Sequence, residues 1–192
     1  MINIKYFSEY VNENRLTESP LLSLKNNVDL ELIKIIKNNF KKGSKILEIS
    51  CGNGEDSLYL QKLGYNIICT EMDDNYVSNA ISKGLNCIKH DTRNPFPFPD
   101  NNFDLVYSRL GLHYFNEEEL NSIFKELKRI SNSILLTVKI MEDENFYKSK
   151  KIILSVDNWE NIINRYFNIE MLNVKYGELY GKEAKWLEVL AK

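Results

Sequence analysis

Between Asn27 and Phe40 the apolar side chains Val28, Leu30, Leu32, Ile33, Ile35, Ile36 and Phe40 alternate with Asp, Glu, Lys and Asn at helical spacing. The stripe predicts a helix that Gly43 closes. The apolar run Lys45-Ile-Leu-Glu-Ile-Ser50 then reads as a strand feeding a glycine turn, and Glu55 to Leu63 as a helix with Leu58, Leu60 and Leu63 inward and Gly64 as its stop. The same order repeats. Asn66–Thr70 is a strand, Asp74–Ser82 a helix stopped at Gly84, and Asn86–Lys89 a short strand. Pro95, Pro97 and Pro99 break the chain before a strand at Phe103–Tyr107. Asn116 to Arg129 reads as a helix capped by Asn116, with Glu117, Glu118 and Glu119 at its positive dipole end. Ser133–Ile140 is the most strand-like run, followed by a helix near Asp157–Tyr166 and strands near Phe167–Val174 and Trp186–Leu190.

Strands that are apolar on both faces and alternate with helices imply an α/β fold, a mostly parallel sheet covered on both sides. In such a sheet ligands bind beyond the carboxyl ends of the strands, where the strand order reverses. Residues just after a strand are therefore the ones to watch. The 192 residues fit one domain: residues 41–192 as the α/β unit and residues 1–40 as a helical N-terminal segment packed on it. Tyr6, Phe7 and Tyr10 in that segment suit a lid over a bound ligand and suit a packed helix equally well.

Composition narrows the function more than the fold. With 43% apolar and 27% charged residues the chain has an ordinary globular balance. A formal charge of −2 from 25 basic and 27 acidic residues argues against a surface that tracks phosphates, so no nucleic-acid partner is expected. Cys51, Cys69 and Cys87 form no close CxxC pair, which points to reduced thiols in the cytoplasm and to no metal site. Charged residues throughout the first twenty positions leave no apolar signal core, and no run approaches a membrane span.

The chemistry concentrates in Ile46-Leu-Glu-Ile-Ser-Cys-Gly-Asn-Gly54. A strand that ends in glycines and opens a helix lets backbone approach a ligand closely, although a bare strand-to-helix turn needs the same glycines. The helix start carries Glu55 and Asp56, with no Lys or Arg between Lys45 and Lys62. Two carboxylates repel a pyrophosphate and suit a ligand with sulfonium and ammonium groups, which disfavours a nicotinamide dinucleotide. Glu71 ends the second strand nineteen residues after Gly52, placed to accept ribose hydroxyls, and is also compatible with an ordinary loop acid. Asp91 and Thr92 follow the third strand, where a carboxylate reaches an adenine amino group, and Met72 suits a purine wall or the core.

Taken together, ILEISCGNG, Glu71, and HDTRNPFPFPDNNFDLVYSRLGLHYF resemble the class I S-adenosylmethionine-dependent methyltransferase superfamily, in its small-molecule branch, over about Ile46 to Ile140. A looser similarity runs to tellurite-resistance-type methyltransferases. The resemblance implies a Rossmann-like, seven-stranded sheet whose last strand is antiparallel, with S-adenosyl-L-methionine as cofactor. It implies that Glu48, Ser50, Gly52 and Gly54 border the methionine portion. Glu71 and Met72 would then hold ribose and adenine, Asp91 and Thr92 the adenine edge, and Ser108 and Arg109, just after the fourth strand, the reacting centre. Two departures stand out: Ser50 replaces the family's first glycine, and Ser131-Asn132-Ser133 its Pro-Gly-Gly turn. His113 is the candidate general base, with packing between Leu112 and Tyr114 as its structural alternative. The expected protein is a monomer or homodimer acting on a small molecule at O, N or S. A methyltransferase for RNA or protein, and a non-catalytic cofactor binder, are the other readings.

Overall fold

The computed structural model describes residues 3–6, 28–140, 154–179 and 182–192. In chain order the elements are β1 (Asn3–Tyr6), α1 (Leu30–Asn39), β2 (Lys45–Ile49), α2 (Glu55–Lys62), β3 (Asn66–Glu71), α3 (Asp74–Ser82), β4 (Cys87–Lys89) and β5 (Leu105–Arg109). A 3-10 turn at Leu112–Tyr114, α4 (Glu117–Ile130), β6 (Ile134–Lys139), α5 (Val156–Asn164), β7 (Ile169–Leu179) and β8 (Lys182–Ala191) complete them.

The strands form one sheet in the order β1-β7-β8-β6-β5-β2-β3-β4. Strand β8 runs antiparallel to β6 and β7, and every other pairing is parallel. The seven strands β2 to β8 are the Rossmann-like sheet with an antiparallel last strand. The chain winds outward from β2 through β3 to β4, then returns to lay β5 on the other side of β2. The crevice between β2 and β5 is thus the switch point at which a ligand is expected.

Two details differ from the expected elements. Asn3–Tyr6 is not helical: it is an added edge strand, parallel to β7 with Asn3 beside Asn173. Ile4 and Tyr6 alternate with Asn3 and Lys5, a period of two that fits an edge strand better than a helix. Phe7 and Tyr10, the other proposed lid residues, lie outside the described residues. The fourth parallel strand also starts later than expected. Phe103 makes only an isolated bridge to Ser131, and pairing with β2 begins at Leu105 opposite Ile46. Ser108 and Arg109 therefore end the strand rather than follow it.

Alternate residues of the central strands feed two cores. Ile46, Leu105, Tyr107 and Leu135 meet Leu32, Ile33 and Ile36 of α1 and Leu60 of α2. Leu47, Ile49, Val106 and Leu136 meet α4 and α5 through Leu120, Phe124, Trp159 and Ile163. Each such side chain contributes roughly 1.5–3 kcal/mol on burial, enough to hold the strand ends in fixed register. Asn116 caps α4 in a reciprocal capping box with Glu119. Arg129 at its far end donates to the carbonyls of Phe98 (2.7 Å) and Phe96 (3.0 Å), pinning the proline-rich approach to β5.

Candidate active site

Beyond β2 the chain turns through Ser50, Gly52 and Gly54, all at positive φ (55°, 55° and 72°). Ser50, standing where the family has its first glycine, thus keeps the left-handed backbone a glycine adopts freely. Such a position costs a non-glycine residue on the order of 1 kcal/mol or more. The loop is held from β3: Cys51 N–H donates to the Thr70 carbonyl (3.1 Å) and Gly52 N–H to Glu71 Oε2 (2.9 Å). A Cβ built on Gly52 meets nothing within 4 Å, so this face of the loop is bare toward the cleft. Gly54 is bare for another reason. A Cβ there would lie 2.4 Å from Leu85 Cδ1 and 3.3 Å from Ala80 Cβ, so its absence lets α2 start close against α3 and does not serve the cleft wall.

Two acids mark the strand ends on this side. Glu71 Oε1 accepts from the N–H groups of Met72 (2.7 Å) and Asp73 (3.1 Å), while Oε2 takes Gly52, leaving about one acceptor site on Oε2. Met72 is 56% exposed beside it, an apolar surface of the kind a purine covers. Asp91 is gripped by Arg93, which donates Nε (2.9 Å) and its backbone N–H (3.0 Å) to Oδ1 and Nη2 (2.6 Å) to Oδ2. The guanidinium holds the Asp91 carboxyl below the usual carboxylate range. Arg93 was not anticipated as a site residue; its position two residues after Asp91 is the only trace it leaves in the sequence.

The floor is a buried ionic cluster. Asp56, at 1% exposure, accepts from Tyr107 Oη (2.7 Å) and Asp29 N–H (3.1 Å) and pairs with Arg109 Nε (2.7 Å). Burial opposes the Arg109 charge, but Asp56 and Tyr107 together keep the guanidinium protonated more firmly than usual. Glu48, fully surrounded, accepts a short hydrogen bond from Ser57 Oγ, and burial with neighbouring Asp56 pushes its carboxyl well up. The other helix-start acid, Glu55, pairs with Lys83 at 2.6 Å. The expectation of two uncompensated carboxylates at the start of α2 is thereby corrected. Their partners come from distant β5 and from the end of α3, and a search of neighbouring sequence misses both.

Glu48, Glu55 and Arg109 open onto a cleft of about 900 Å³ across the ends of β4, β3, β2, β5 and β6. Of the expected site residues, Glu48, Ser50, Gly52, Glu71, Met72, Asp91, Thr92, Arg109 and His113 line it. Gly54 and the fully buried Ser108 do not. Ser108 instead packs beneath Gly111: a Cβ on Gly111 would lie 2.9 Å from Ser108 Oγ and 2.7 Å from Ser50 Cβ. His113, on the 3-10 turn, is 1% exposed with its ring 4.3 Å from that of Tyr114. Tyr76, Gly111, Tyr114 and Lys139 join the wall without having been singled out beforehand. The fold alone brings Lys139, the last residue of β6, to this wall.

A cleft of this volume is in the range that holds a cofactor-sized ligand. A bare glycine face, a strand-end carboxylate with an acceptor site to spare and an exposed thioether suit a ribose and a purine. Residues 47–133 match the family described as "Methyltransferase domain". Over those residues the chain resembles a methyltransferase domain. Phosphoethanolamine N-methyltransferase 1 of Arabidopsis thaliana is 29% identical over 107 residues, covering 48% of this chain and 20% of that protein. The chain therefore spans about a fifth of that relative's length. The crystal structure of TehB from Haemophilus influenzae shares the methyltransferase fold at a TM-score of 0.75 and 18% identity, covering 87% of this chain and 63% of that one. Magnesium protoporphyrin IX methyltransferase from Synechocystis, solved with bound S-adenosylmethionine, superposes at a TM-score of 0.69 and 14% identity, over 89% of this chain and 81% of that one. Among the described residues no helix is long and apolar enough to cross a membrane.

Proposed function

We propose that this protein transfers the methyl group of S-adenosylmethionine to an O, N or S atom of a small molecule in the cytoplasm. The observation that carries the reading is the extent of the cleft. It runs from Glu71 and Asp91 past the bare Gly52 face to Arg109, His113 and Lys139, leaving space for a second small reactant beside the cofactor. The near-neutral chain charge of −2 and the small acceptors named for two of the relatives support the same class.

In this reading Glu71 accepts the ribose hydroxyls, Met72 covers one purine face, and Asp91 and Thr92 meet the adenine edge. Glu48, Ser50 and Gly52 border the amino-acid portion. Arg109, fixed by Asp56, holds the wall of the cleft close to the reacting centre. The cofactor supplies a methyl carbon already activated by its sulfonium, so the protein's share is orientation and exclusion of water, worth up to ~7–11 kcal/mol. An acceptor that arrives protonated needs a base, and His113 is the group placed after β5 to take that proton.

The test is incubation with isotope-labelled S-adenosylmethionine and a cell metabolite extract, followed by mass spectrometry. A labelled small product supports the reading. Label on RNA or protein alone, or tight cofactor binding with no labelled product in any fraction, sinks it.

A further inference from the structure

Three sulfurs that the sequence scatters come together beside the cofactor loop. Cys51 lies on the turn after β2, Cys69 within β3 and Cys87 at the start of β4, and Cys69 and Cys87 are register partners. All three Sγ atoms lie within 4.8 Å of one another, with Cys51 and Cys87 at 3.9 Å. Cys69 is fully buried and the other two are 8% exposed, packed among Val77, Ala80 and Leu85. All three are free thiols, so no disulfide explains the cluster. A metal ion bonded to thiolates at ~2.3 Å holds them roughly 4 Å apart, close to the 3.9 Å between Cys51 and Cys87 and inside the 4.8 Å that bounds all three.

We propose that Cys51, Cys69 and Cys87 form a binding site for a divalent thiophilic cation of the zinc and cadmium kind, held by three thiolate sulfurs. Soft sulfur donors select such ions over magnesium or calcium. Binding converts three thiols to thiolates and releases three protons, and a divalent ion leaves one net negative charge. A monovalent ion would leave two in these apolar surroundings, at greater cost. No His, Asp or Glu among the described residues completes the group. The three sulfurs are thus the whole donor set among the described residues, the number of protein ligands that also holds zinc in three-ligand sites. Entry is through the cleft, whose wall includes Cys51. The same residue lies between Ser50 and Gly52, so the site shares its loop with the cofactor. Spacing alone hides it, because no two of these cysteines are near in sequence.

Anaerobic titration of the fully reduced full-length protein with Cd²⁺ alone, followed by thiolate-to-cadmium charge-transfer absorption, tests the site. The expected result is saturation at one ion per chain with release of three protons, and a cooperative melting transition that moves upward. Cys69→Ser and Cys87→Ser, each with a cooperative melting transition of its own, should bind at least about 100-fold more weakly. Should Cys69→Ser not fold, Cys87→Ser alone decides. Wild-type affinity in a folded variant, or absorption that develops only with excess ion and releases fewer than two protons, overturns the proposal.

Discussion

Arg109 Nε lies 2.7 Å from Asp56 Oδ2, tying the last residue of β5 to the second residue of α2 across the floor of the cleft. The Asp56 side chain has no solvent contact, whereas Arg109 keeps 20% exposure on the cleft side. Removing one partner of a buried pair leaves the other uncompensated, at a typical cost of 3–5 kcal/mol. Asp56→Ala should therefore destabilise by about 3 kcal/mol, toward the low end because Arg109 can still reach water. Tyr107→Phe removes a single hydrogen bond to a charged acceptor and should cost about 1.5–3 kcal/mol. Urea denaturation of both variants orders them, and an Asp56→Ala protein as stable as wild type would remove the pair from the account of the floor.

Glu71→Ala should weaken S-adenosylmethionine binding far more than Glu55→Ala. Glu71 is assigned the ribose hydroxyls and also holds the Gly52 N–H, whereas Glu55 is engaged by Lys83. Hydrogen bonds to a charged acceptor contribute ~1.5–3 kcal/mol, so Kd should rise roughly tenfold to a hundredfold. Glu55 acts through the helix-start field alone, on the order of 0.3–1 kcal/mol. Titration calorimetry compares them, and equal losses would displace the ribose from the end of β3.

The elements that carry the cofactor side were legible because their signals are local. Asp74–Ser82 is observed with the bounds expected, and Asn116 caps α4 through Glu119 three residues on. The distance of Glu71 from the glycines anticipated its place in the cleft wall. What sequence could not show is pairing between remote residues. Phe103 reads as strand yet bridges only Ser131, because it is β2 that sets where β5 begins. The partners of Asp56, the reach of Lys139 and the meeting of the three thiols all arise from strands brought side by side by the crossover.

His113→Ala should lower turnover at least tenfold while leaving cofactor Kd within about threefold, as general-base losses of ~10²–10⁴-fold allow. The residue is assigned to the acceptor side, and its burial makes packing the competing role. A stability measurement on the same variant separates the two. Unchanged turnover with a large drop in melting temperature assigns His113 to the core.

Glu188 of β8 pairs with Lys175 of β7 at 3.3 Å. Burial pushes its carboxyl from 4.5 up to about 7 against the pull of Lys175, and Asp29 adds to the rise. The folded state then holds a proton that the unfolded chain releases between those values, so stability falls as pH climbs through that window. A shift of this size corresponds to roughly 3 kcal/mol. Glu188→Gln removes the titration, and the melting-temperature difference between variant and wild type should move in the variant's favour from pH 5 to pH 7. A difference independent of pH would return Glu188 to the ordinary carboxylate range.

The contact between Ser50 and Gly111 offers a sharper test of the glycine loop than either residue alone. A Cβ added at Gly111 would come 2.7 Å from Ser50 Cβ and 2.9 Å from Ser108 Oγ, both too close without a shift of backbone. Overpacking of this kind costs about 1–3 kcal/mol, so Gly111→Ala should be destabilised by that amount. Ser50→Gly by itself removes a side chain from a residue at φ 55°, where glycine is unstrained, and should stabilise by roughly 1 kcal/mol. In the double variant the nearer of the two clashes is gone. The pair should therefore couple by at least about 0.5 kcal/mol in the favourable direction, the lower end of interaction energies between touching residues. Additive effects across the four-protein cycle would mean that Ser50 and Gly111 do not set one another's position, and that the left-handed Ser50 is held by the β3 hydrogen bonds alone.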